Sequence, residues 1–167
     1  MKTKISLMLV VAILFISCDC KNGNGNGNDN NGNGNELIPI EAVDTLIIGS
    51  NSFILDAFLW RDFMPISPPD GQPMISINWL ICTNEIAIPD NISLVKQFVI
   101  FGDLVWKAYY TDEEGVPQPA HKIQRVSRNG PKWGPNIYVD VIAQVYDSNT
   151  NKTHFVRRKN VFVIRTS

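Results

Sequence analysis

Cysteine and histidine are nearly absent: the 167 residues include three Cys and two His. Three cysteines cannot build a disulfide-dense scaffold. His121 and His154 stand in no HExxH motif or paired ligand spacing, so no metal site is expected. Positive charge is not in excess either. Lys+Arg 15 against Asp+Glu 16, with a pI near 6.1, lacks the basic footprint of a nucleic-acid-binding protein. No apolar run reaches the roughly 18 residues read as a membrane-spanning helix. Neither a G-x-S-x-G elbow nor a P-loop is present, so no catalytic residue and no cofactor is assigned.

What the chain does have begins at its N-terminus. The segment MKTKISLMLVVAILFISC places Lys2 and Lys4 before an apolar or small stretch, the charge-then-apolar pattern of an export signal. The residues Phe15-Ile16-Ser17-Cys18 read apolar, apolar, small, Cys. This resembles the lipobox of bacterial lipoproteins, with Phe15 where that family more often has Leu. The resemblance implies cleavage after Ser17, acylation of Cys18 (palmitate among the chains) and anchorage to the membrane in the cell envelope. Loss of residues 1–17 leaves 13 basic and 16 acidic residues, so the acyl chains, at about 0.8 kcal/mol per buried CH₂, do the holding. Asp19 resembles an inner-membrane retention signal of some Gram-negative bacteria, while in other groups acidic residues near the anchor accompany surface export. Both sides of the envelope stay open.

Residues 21–35 read KNGNGNGNDNNGNGN. Asn and Gly offer no apolar surface to offset the entropy of ordering, so a spacer spanning roughly 20 Å is expected. The organisation is therefore a signal peptide over 1–17, an anchor and Asn/Gly linker over 18–35, and one folded domain over 36–167.

That domain alternates with a period of two. In residues 52–62, Phe53, Leu55, Ala57 and Leu59 share a face opposite Asp56. In residues 74–83, Ile75, Ile77, Trp79 and Ile81 are assigned to the core, opposite Ser76 and Asn78. In residues 136–146, Ile137, Val139, Val141, Ala143 and Val145 oppose Asp140 and Gln144. Residues 94–101 and 104–110 flank the turn signal Gly102-Asp103, and 122–127 reads as a polar edge strand. Residues 153–158 and 161–165 are separated by Lys159-Asn160, a bulge signal, and DSNTN at 147–151 reads as a hairpin turn. About seven to nine short strands favour an all-β, antiparallel β-sandwich. The long final hairpin resembles the last two strands of immunoglobulin-like or fibronectin-III-like domains. Trp79 or Trp106 is the expected core aromatic.

Two loops draw attention. Residues 60–71 carry Trp60, Arg61 and Asp62 before a proline-rich stretch, and an Arg61–Asp62 ion pair closing one end of the fold is expected. Residues 129–136 hold Lys132-Trp133 between two Gly-Pro pairs. Trp133, Lys132, Trp60 and Arg61 are the candidate ligand-binding residues, because loops on a rigid scaffold are where binding concentrates. Trp133 either presents a platform for a sugar ring or peptide, or folds back to cap the core. Cys82 reads as a buried structural thiol. Asp112-Glu113-Glu114 reads as a solvated turn rather than a calcium site. The functional expectation is a non-catalytic binding or structural module of the envelope, with a protein or glycan partner. The alternatives are carbohydrate binding through Trp133, or a small hydrolase drawing on Asp56, Asp62 or Asp140 with His121 or His154.

Overall fold

The computed structural model describes residue 39, residues 41–111 and residues 117–167. The leader, Cys18, Cys20, the Asn/Gly tract and the acidic run Asp112-Glu113-Glu114 lie outside the described residues. The described chain forms strands and no helix: β1 (Leu46–Ile48), β2 (Asn51–Asp62), β3 (Met74–Cys82), β4 (Ile92–Phe101), β5 (Leu104–Tyr109), β6 (Lys122–Gly130), β7 (Tyr138–Asp147) and β8 (Lys152–Thr166).

The hydrogen-bonded order is β5-β4-β7-β8-β2-β3-β6, with β1 added to β2. Every neighbour is antiparallel except β2 and β8, which run parallel from Leu59↔Val163 to Asp62↔Thr166. The mixed sheet curls into a half-barrel, so that its two ends approach. Thr111 bridges Val126, and Ser127 Oγ donates to the Tyr109 carbonyl (3.3 Å). Trp106 on β5 packs so closely on β6 that a β-carbon built on Gly130 would lie 2.7 Å from its ring. Trp106 is the core tryptophan; Trp79 faces outward, its indole N–H donating to Gln124 Oε1 (2.9 Å).

The curl encloses the main core, and a smaller cluster of Ala42, Phe98 and Ile142 packs apart from it. Phe53, Leu55 and Leu59 of β2 meet Val139, Val141, Ala143 and Val145 of β7, the faces their alternation predicts. Each of these Phe, Leu and Val side chains contributes about 1.5–3 kcal/mol by leaving water. The long strand β8 carries the expected bulge: Val139 pairs with Val161 but Val141 with Arg158, and Asn160 takes a φ of 55°. The Gly102 and 147–151 turns also form, with Asp147 accepting from the Asn149 N–H (3.0 Å), Thr150 Oγ1 (2.7 Å) and Asn91 Nδ2 (2.6 Å). Those bonds, Thr150's first, hold the Asp147 carboxyl below its ordinary pKa.

The assignment of β3 is inverted. Met74, Ser76, Asn78, Leu80 and Cys82 are buried, whereas Ile75, Ile77, Trp79 and Ile81 lie half-buried on the outer face. The reason is a polar partner supplied from β4. A register shift between Leu94 and Lys96 rephases that strand, so that Leu94 and Gln97 both point into the interior. Ser76 Oγ donates to Gln97 Oε1 (2.9 Å), and Asn78 Nδ2 donates to the same oxygen and to the Tyr110 hydroxyl (3.1 Å). Burial pushes the Tyr110 phenol well above its ordinary pKa, which keeps it a neutral hydrogen-bonding group.

Candidate functional site

Alternation along β2 makes Arg61 the next member of the inward row 53, 55, 57, 59. It is only 2% exposed, at the end of the barrel where the core runs out. A buried guanidinium needs several acceptors, and the two loops provide them. Arg61 Nε donates to the Gln72 carbonyl (3.0 Å), Nη1 to the carbonyls of Lys132 (2.9 Å) and Gly134 (2.5 Å), and Nη2 to that of Asp70. Burial lowers the Arg61 pKa, and the nearby Asp70 carboxylate acts in the opposite direction.

The expected Arg61–Asp62 pair does not form. Successive strand residues point to opposite faces, so Asp62 turns away and accepts from the Met64 N–H (2.8 Å) and Thr166 Oγ1 (3.2 Å). Arg61 instead draws the 60–71 and 129–136 loops together. Around it, the Phe63 ring lies between two cations, with Arg165 Cζ 4.1 Å and Arg61 Cζ 5.0 Å from its centroid. Gly71, at φ 73°, leaves room for that ring: an added β-carbon would lie 2.6 Å from it. Outside, Lys132 Nζ bridges to Asp70 Oδ2 (2.7 Å), and this hydrogen bond is the main reason the Asp70 carboxyl sits below its ordinary pKa.

Among the four candidate residues, Arg61 and Lys132 meet directly, through the Lys132 carbonyl. Trp133 is half-buried on the core and 6.1 Å from the Phe101 ring. Trp60 belongs to the outward row, 5.4 Å from Phe58. The same outer face carries Tyr138 and Phe162, exposed and 5.1 Å apart. Gln72, Phe63, Arg165 and Phe101 were not singled out from sequence. Only the proline and glycine density of the loops marked the region.

The solvent side of this end is apolar as well as charged. Ile66 is 96% exposed, and Met64 and Leu104 are also exposed. Elsewhere the three aspartates considered for hydrolysis make local bonds: Asp56 with the Ala57 N–H, Asp62 as above, and Asp140 with the Asn160 N–H. Among the described residues no group of three or more His, Cys, Asp or Glu side chains converges. In comparisons with protein-family models, curated proteins and solved structures, nothing matches this chain.

Proposed function

We propose that the protein is an exported, lipid-anchored module of the cell envelope that acts by binding, with the Arg61-clasped end as its contact surface. The observation that carries this reading is the clasp itself. A loop left free would lose conformational entropy on binding a partner; these two are fixed beforehand by one guanidinium, which lowers that cost. Met64, Ile66 and Leu104 supply apolar contact there, with the Lys132–Asp70 pair at the rim.

Placement supports the same reading. The described chain joins the fold at Val43, which bridges Val156 of β8, while the clasp lies at the other end of that strand, beside Thr166. Ten strand residues separate the two, about 30 Å at 3.3 Å per residue. A domain tethered through Cys18 therefore has its clasped end directed away from the tether's attachment point.

We read the architecture as an immunoglobulin-like sandwich. Its support is the division of the strand order into β5-β4-β7-β8 and β1-β2-β3-β6 about the main core, with β2 joining both layers through its parallel pairing to β8.

A second reading, glycan binding, is favoured by the outward aromatic rings of Trp60, Phe58, Tyr138 and Phe162, since sugar rings stack on such faces. A glycan-array screen of the wild type, Trp133→Ala and Trp60→Ala separates the readings. Under the glycan reading the wild type gives signals that one substitution abolishes; no signal above background, or signals that neither substitution moves, removes that reading. Intact-mass spectrometry of the membrane fraction tests the anchor: an acylated Cys18 N-terminus is expected, and an unmodified mature N-terminus would refute it.

A further inference from the structure

Between β2 and β8 the sheet has an opening. β1 pairs with β2 as far as Phe53, and β8 takes over at Leu59, so residues 54–58 have no strand on that flank among the described residues. Opposite them lies the β8 bulge, and the segment between Val43 and Leu46 crosses from β8 to β2 at one end. The opening is a window of about 230 Å³ lined by Asp44, Ile54, Leu55, Arg157, Arg158 and Lys159.

Arg157 and Arg158 pair in regular register with Ile142 and Val141, the bulge follows at Lys159 and Asn160, and all three cations line the window at this open edge. Arg157 is half-buried and steadied by Asp44, its Nε donating to Oδ1 at 3.2 Å. The Arg158 and Lys159 side chains are exposed and have no hydrogen-bond or ion-pair partner among the described residues. Three cations and one carboxylate, Asp44, line the window, and two further carboxylates, Asp56 and Asp140, lie beside it on backbone N–H groups. Two backbone donors beside the window are already engaged, Ala57 N–H by Asp56 Oδ1 (3.0 Å) and Asn160 N–H by Asp140 Oδ1 (2.9 Å). The charged donors open to a ligand are the guanidinium and ammonium groups.

We propose that this window binds a phosphate-type oxyanion. A guanidinium presents parallel N–H groups that match two oxygens of a phosphate, and a lysine adds a mobile point charge. Ile54 and Leu55 add apolar side chains to the lining. The group reaches the window either as a free phosphate or as the headgroup of a membrane lipid, and both offer the same oxygens.

The test uses the full chain carrying Cys18→Ala, so that no acyl group contributes whether or not Cys18 is normally modified. In one arm inorganic phosphate is titrated while amide resonances of β8 are followed. In the other, the protein is sedimented with vesicles of phosphatidylcholine alone or mixed with phosphatidylglycerol. Saturable shifts at Arg158 and Lys159 identify free phosphate as a ligand; binding only to the anionic vesicles identifies the headgroup. In either case Arg158→Gln/Lys159→Gln is expected to weaken binding by roughly ten-fold or more, Lys159→Gln alone by less, and Lys152→Gln, outside the window, not at all. Binding in neither arm, or binding indifferent to these substitutions, overturns the proposal.

Discussion

Arg61 Nη1 donates to the main-chain carbonyl of Gly134, 73 residues further along the chain. The same guanidinium binds the carbonyls of Asp70, Gln72 and Lys132, so one side chain ties the β2–β3 loop to the β6–β7 loop. This arrangement makes the end of the domain a single surface.

Removing that side chain strands several carbonyls at once. Arg61→Met should destabilise the fold by about 3 kcal/mol or more. Arg61→Lys should recover little of the loss, because an ammonium keeps the charge but lacks the planar fork. Urea denaturation of both variants measures the difference; a loss near zero for Arg61→Lys would show that charge alone suffices.

Gly130 owes its identity to Trp106. A β-carbon there would lie 2.7 Å from the indole, so Gly130→Ala should cost about 1–3 kcal/mol through overpacking. Trimming the ring makes the space, so the penalty of Gly130→Ala should shrink in a Trp106→Leu background. A double-mutant cycle reads the coupling.

The interior amides form a unit. Gln97→Leu leaves Ser76 and Asn78 without their shared acceptor and should cost about 1–3 kcal/mol, as should Asn78→Leu. The double substitution should cost less than the two together, since the second change removes a group the first has orphaned. Additive losses in thermal or urea melts would contradict the network.

Asp147 gives the fold an acid-sensitive turn. Its pKa is depressed in the folded state by Thr150 and Asn91, so its contribution is fully present above the ordinary carboxyl value of about 4. It is lost as pH falls through the lowered folded value. Asp147→Asn should therefore be less stable than wild type at pH 7, and the gap should narrow in strong acid. A gap that stays constant with pH would remove the carboxylate's role.

Much of the architecture was legible because apolar alternation is a local property. The β2 and β7 faces, the Gly102 and 147–151 turns, the edge strand β6 and the bulge at Lys159-Asn160 all follow from neighbouring residues. The inversion of β3 was not legible. Its outer residues, Ile75, Ile77 and Trp79, are greasier than its inner Ser76 and Asn78, and what makes the polar face the buried one is Gln97, some twenty residues away behind a register shift. The clasp was half legible. Sequence marked Arg61 and both loops, but chose the adjacent Asp62 as partner where the acceptors are backbone carbonyls with no residue-type signature.

The central claim, that Arg61 couples two distant loops into one preformed surface, is tested most directly by amide hydrogen exchange in wild type and Arg61→Lys. The amides of Gln72, bonded to the Asp62 carbonyl, and Asn136, bonded to the Val163 carbonyl, report on the two loops. Both should lose protection together while β4 and β7 amides keep theirs. Loss at Gln72 alone, with Asn136 unchanged, would contradict the coupling.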